Sequence, residues 1–213
     1  MENNAANAVS PSPSEAKPKS RKKLLIAVAA MAVIGLVVSA FLVSALLSKP
    51  TGQDAWLFKG AYAKYEGSTS VKLESIEGFG DFDVSFDMSV KMEVLDFNNT
   101  HAYMSTSFKM IPSVGETAED ENSTWVELSK VGFVNAFSES NVTNSYDATM
   151  DFGSLGTRSC TVYEFATDGP TMTVYIDKAI GWPLKMKASM AGEDSLSLSL
   201  DINLVDTNIP GLK

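Results

Sequence analysis

The chain has 213 residues, with 17 Lys and Arg against 26 Asp and Glu, a formal net charge of −9 and one cysteine. The charge is unevenly placed: residues 1–23 carry five basic and two acidic side chains, whereas residues 51–213 carry eleven and twenty-four. An acid-rich main portion repels polyanions, which excludes nucleic acid as a partner, and the lone Cys160 excludes an intrachain disulfide.

The first twenty residues are rich in Asn, Ala, Ser, Pro and Lys. They hold too little apolar surface for a core, and residues 1–23 are expected to form a disordered basic tail. From Leu24 to Leu47 no residue is charged, and Arg21, Lys22 and Lys23 stand directly before the run. As a helix it reaches roughly 36 Å, enough to cross a bilayer core of about 30 Å. The Lys and Arg excess on its N-terminal flank places the tail in the cytoplasm and residues 48–213 outside. A cleaved signal peptide is the rival reading, with small-residue patterns at Val38-Ser39-Ala40 and Val43-Ser44-Ala45. The length of the apolar run and of the segment before it favours a retained anchor.

Beyond the apolar run, Trp56 to Tyr65 is ambiguous between a first strand and a helix leaving the membrane. From Phe82 to Val94 every even position is apolar (Phe82, Val84, Phe86, Met88, Val90, Met92, Val94), with Asp83, Ser85, Asp87, Ser89, Lys91 and Glu93 between them. Such alternation makes a strand with one dry and one wet face. It returns at Ala102 to Met110, at Tyr146, Ala148, Met150 and Phe152, at Met172 to Ile176, at Leu184 to Met190 and at Leu196 to Leu204. Turn chemistry separates these runs at Asp168-Gly169-Pro170, Lys178 to Pro183 and Gly192 to Ser195, so the strands should be antiparallel neighbours. Pro112 to Ser123 reads as an exposed acidic loop. Val126 to Phe137 does not alternate cleanly and reads as a short helix able to cover the apolar face.

Chemistry-bearing constellations are sparse. His101, the single histidine, has no histidine or cysteine partner, so neither a zinc site nor a Ser–His nucleophile pair is expected. The carboxylates Asp81, Asp83 and Asp87 and the run Glu119-Asp120-Glu121 lack the apolar pocket that makes a general acid. Cys160, in a strand-like context, reads as a small buried apolar side chain. No catalytic residue, metal or cofactor is expected. Three N-x-S/T sequons, at Asn98, Asn122 and Asn141, fall in polar stretches outside the apolar run and are candidate glycosylation sites. Methionines recur on the apolar side of the strands, and this flexible side chain suits a surface that accepts flexible apolar ligands. Met88, Met92, Met104 and Phe108 are the candidate ligand-contacting residues.

Residues 160–190, read as CTVYEFATDGPTMTVYIDKAIGWPLKMKASM, resemble the C-terminal half of lipoprotein-sorting factors of the LolA/LolB type. There a strand ending in an acidic residue leads through a Gly-x-Pro-Leu turn into a basic, apolar strand. Here these features are Asp177 and Gly181-Trp182-Pro183-Leu184. The resemblance implies a curved antiparallel half-barrel with one or two helices over an acyl-binding face. It carries over Asp177, Gly181 and Pro183 as a structural turn and no catalytic residue. The expected protein is thus a single-pass membrane protein with an extracytoplasmic, mainly β domain. Its expected role is non-catalytic binding of a lipid or other apolar ligand; the alternative is a structural or adhesive β domain without a cavity.

Overall fold

Alternation over long segments commits this chain to strands, and nine of them pair into one antiparallel sheet. The computed structural model describes residues 56–76, 80–113, 116–128, 142–166, 170–191 and 196–212. The basic tail, the apolar run 24–47, most of the expected helix Val126–Phe137, and Asn141 lie outside these residues. Among the described residues no helix is long and apolar enough to cross a membrane.

The strands are β1 (Tyr62–Ile76), β2 (Gly80–Phe97), β3 (His101–Pro112), β4 (Ala118–Glu127), β5 (Val142–Asp151), β6 (Thr157–Ala166), β7 (Pro170–Asp177), β8 (Pro183–Ala191) and β9 (Leu196–Thr207). Their order across the sheet is β4-β3-β2-β1-β9-β8-β7-β6-β5. Two meanders, β1 to β4 and β5 to β9, are therefore joined where the first strand pairs with the last. The sheet is open, with β4 and β5 at its edges, and does not close into a barrel.

Register explains why the alternation of each strand matters to its neighbours. Residues opposite one another in an antiparallel pair share a face. Met110, Met88, Gly67, Ile202, Met186, Val174 and Tyr163 consequently form one line across seven strands on the apolar face. The parallel line on the other face reads Lys109, Ser89, Glu66, Asn203, Lys185, Tyr175, Val162 and Tyr146. Phe86, Met88, Val90, Met92 and Val94 are buried, as the even-position reading of β2 requires. The other face carries ion pairs such as Lys64–Glu66 at 2.6 Å and Lys91–Glu93 at 2.7 Å. Being solvated, such pairs contribute about 0–1 kcal/mol each and chiefly keep that face wet.

Gly67 sits in the middle of β1, where a glycine is otherwise unfavourable. A Cβ built on it would overlap the Asp201 carbonyl oxygen and lie 2.7 Å from the Ile202 Cα. The absent side chain is what lets β1 and β9 approach at this point. Bulges interrupt the ladder between Lys64 and Tyr65 in the β1–β9 pair and between Val94 and Asp96 in the β2–β3 pair. Bulges bend and twist the strands that carry them.

Several expectations are corrected. Ala118 to Ser123 is not loop but the first part of β4, paired residue by residue with β3 from Met110 to Ser105. Acidic composition misleads there because an edge strand tolerates, and is protected by, charge. Val126 and Glu127 end the same strand rather than start a helix. Trp56 to Gly60 forms a turn, and the first strand begins at Tyr62. Tyr146, Ala148 and Met150 pair with Val162, Cys160 and Arg158, which places them on the face opposite Met88. Leu184 is buried, as its alternation with Lys185 requires, though it is also the extra residue of a bulge, since Tyr175 pairs with Lys185 and Ile176 with Pro183.

Candidate functional site

The apolar face gathers the four candidate residues. Met88 and Met92 alternate along β2, and Met104 and Phe108 project from β3 on the same side, opposite Val94 and Val90 respectively. Met88, Met92 and Met104 are buried at 1–3% exposure, while Phe108, opposite Asp120 of the edge strand, is half-buried. Met110 and Met186 extend the buried methionine surface. Met172, Ala188, Met190 and Leu198 continue it in β7, β8 and β9 as a half-buried patch. Met172 lies opposite Ala188, and Met190 opposite Leu198.

The two ends of this face differ. At the end where β1 begins, Trp56 and Trp182 pack with ring centroids 5.8 Å apart. With Ala61, Met92, Val94, Met104 and Ile209 they bound a void of only about 10 Å³. That space is at the lower limit for a single water. Tyr65 adds its ring below, and its hydroxyl donates to the Pro183 carbonyl at 2.8 Å. Burial pushes the Tyr65 hydroxyl far above the usual phenol range. Trp182 Nε1 lies near that hydroxyl but completes no hydrogen bond of ordinary geometry. Away from this plug the side chains of the patch around Met190 are less covered.

The plug is held by the turn between β7 and β8. Asp177, 2% exposed, accepts the N–H groups of Ala179 at 2.9 Å and Ile180 at 2.8 Å through Oδ1. Gly181 takes the left-handed conformation at φ +71°, which returns the chain to Trp182 and Pro183. Arg158 lies 3.7 Å from the second Asp177 oxygen and donates to the carbonyls of Leu155 and Gly211. The sequence named Asp177, Gly181 and Pro183 as a turn. It did not show that Arg158 and the C-terminal residues Ile209 to Leu212 close over that turn, because neither follows an alternating pattern.

Cys160 is fully buried beside this cluster, and burial, then the nearby Asp177 carboxylate, pushes its thiol up to about 11. It is therefore a protonated, inert thiol at neutral pH. His101 is half-buried at the start of β3, with Nδ1 2.9 Å from the Thr100 hydroxyl. Among the described residues no three His, Cys, Asp or Glu side chains come together as a metal site. On the polar face an open groove of about 720 Å³ runs over Lys64, Glu66, Asp87, Lys109 and Asn203. It is mixed in charge and shallow.

Two sequons can be placed. Asn98 is exposed in the β2–β3 hairpin, its Oδ1 accepting from the N–H groups of Thr100 and His101. Asn122 is exposed within edge strand β4, opposite Thr106, rather than in a loop. Compared with known protein families and with curated proteins, the chain matches none.

Proposed function

We propose that residues 48–213 form an extracytoplasmic domain of LolA-like type, anchored by residues 24–47, that holds a lipid or other apolar ligand without catalysing a reaction. The observation that carries this reading is the continuous methionine-bearing line across seven strands of an open sheet. A surface of this kind offers a flexible chain adaptable contacts, each Å² of apolar area buried contributing roughly 25 cal/mol. The ligand would lie along Met88, Met92, Met104 and Phe108 and run toward the half-buried patch at Met172 and Met190. Asn98 and Asn122 are the exposed positions at which an extracytoplasmic glycan would attach.

The test is extraction of the full-length protein, purified from its own membranes in mild detergent, followed by mass spectrometry of the organic phase. Stoichiometric lipid that is lost on Met190→Asp, a change at a half-buried position of the patch, with a folded far-ultraviolet spectrum retained, is the expected result. Absence of any retained apolar molecule would sink the proposal. The close packing around Trp56 and Trp182, with its void of about 10 Å³, favours a second reading: a structural or adhesive β domain whose apolar face is simply its filled core. That reading predicts no lipid and unchanged stability after delipidation.

A further inference from the structure

We infer that the loop end of the sheet bearing Phe97 and Trp125 rests on the outer leaflet of the membrane that holds residues 24–47, an inference that depends on the anchored reading above. The first observation concerns where the chain enters the sheet. Tyr62 opens β1 opposite Glu93, and the Gly60 N–H donates to the Val94 carbonyl at 2.8 Å. Eight residues, 48–55, separate the described turn from the end of the apolar run at Leu47. Fully extended they span at most about 28 Å. On the anchored reading, the entry to β1 lies within that distance of the bilayer.

The second observation is what this end displays. Beyond the Glu93 row, β2 continues to Phe97, turns through Asn98 to Thr100, and returns as β3, with Tyr103 paired to Trp125 of β4. Phe97 is 41% and Trp125 50% exposed. The Tyr103 and Trp125 rings lie against each other, tilted by 32°, at 5.2 Å between centroids. Leu57 and Phe58 are half-buried at the chain entry, beside exposed Lys59. The hairpin tip itself carries no acidic residue from Phe97 to Tyr103, with exposed Asp96 in the row of Tyr103 and Trp125 and Glu127 opposite His101 marking its border. Aromatic side chains with a polar tip, accompanied by Lys, are the composition that settles at the headgroup boundary. Of the other exposed large apolar residues among the described ones, Ile111 stands near the opposite end of β3 and Tyr146 in edge strand β5. Because the outer segment is strongly acidic, the surface addressed is that of uncharged, zwitterionic lipid rather than anionic lipid.

Trp125 is also the reporter. Of the three tryptophans, Trp56 is 5% and Trp182 3% exposed. The experiment uses the full-length protein reconstituted into phosphatidylcholine vesicles brominated on the upper acyl carbons, with iodide on both sides of the membrane in a parallel sample. The expected result is loss of fluorescence in the brominated vesicles that largely disappears in Trp125→Phe, together with weak quenching by iodide. Quenching of Trp125 by iodide but not by bromolipid, or by neither, overturns the inference. Carbonate extraction of the same vesicles separates the two readings. Protein that remains embedded while Trp125 meets only iodide removes this inference alone, whereas protein that washes off removes the anchor and the inference together.

Discussion

Gly67→Ala is the substitution on which the geometry of the sheet and ordinary propensity disagree in sign. A glycine in a strand interior is destabilising relative to alanine, and its replacement where the backbone tolerates a Cβ commonly adds about 0.4–1 kcal/mol. Here the new Cβ would overlap the Asp201 carbonyl oxygen and sit 2.7 Å from the Ile202 Cα. Both are backbone atoms, held by pairing of β9 with β1 on one side and β8 on the other. No side-chain rotation can relieve the overlap, so two central strands must separate. Overpacking of this kind costs about 1–3 kcal/mol. Set against the propensity gain, the net loss is about 1–2 kcal/mol, or a fall of roughly 2–8 °C in Tm for a domain of this size. Thermal unfolding followed by circular dichroism measures it. Ser68→Ala, one residue away on the exposed face, is the control and should stay within about ±0.5 kcal/mol. A Gly67→Ala protein as stable as the wild type, or more so, would refute the close approach of β1 and β9.

Three further outcomes follow from the same framework. Val90→Asp should prevent folding, because an unpaired charge would be buried at a residue 1% exposed, while Asp87→Asn on the wet face should be nearly silent; equal denaturant midpoints would mean that the faces are misassigned. Asp177→Ala should cost about 3–5 kcal/mol by leaving Arg158 without its counter-charge and two N–H groups unpaired, whereas Asp177→Asn, which keeps an acceptor for those two groups, should lose clearly less; urea melts that do not separate the two variants would count against the turn as described. The Cys160 thiol, raised from 9.0 to about 11 in the folded state, contributes stability that is present below pH 9 and lost as pH rises toward 11. Stability measured across that window should fall less steeply in Cys160→Ala than in the wild type, and parallel curves would show that the thiol is not shielded.

Which parts of this architecture were legible in the sequence follows from the range of the interactions involved. The strand from Phe86 to Val94 declares its faces by itself, since period two is a property of neighbouring residues. The turn from Asp177 to Pro183 was likewise readable, because its Asx geometry and left-handed glycine are local. Edge strand β4 was not, since Glu119, Asp120 and Glu121 carry no alternation and become a strand only by pairing with β3. The side on which β5 emerges was not legible for a related reason: Tyr146, Ala148 and Met150 alternate as read, but only the register through β6, β7 and β8 says on which side of the sheet they lie. Met88, Met92, Met104 and Phe108 do share one face, as their parity requires. The plug of Trp56, Trp182 and Ile209 joins segments more than a hundred residues apart, and no single stretch announces it.

The pairing of β1 with β9 has a consequence for how such a chain can be made. Among the described strands the first to be synthesised is also the last to find one of its partners, because β9 follows the other eight in the chain. Until then the early meander presents β1 as a raw, ten-residue-plus edge, and the late meander has nothing to dock on. Pairings of such long sequence separation are slow to form and leave edges open to wrong partners while they wait. The two hydrogen bonds that the Asn208 side chain makes with Tyr62 and Gly60 therefore act as a completion mark. A chain truncated before Asn208 lacks that mark, and the edge of β1 stays open to wrong partners until β9 and Asn208 have been made.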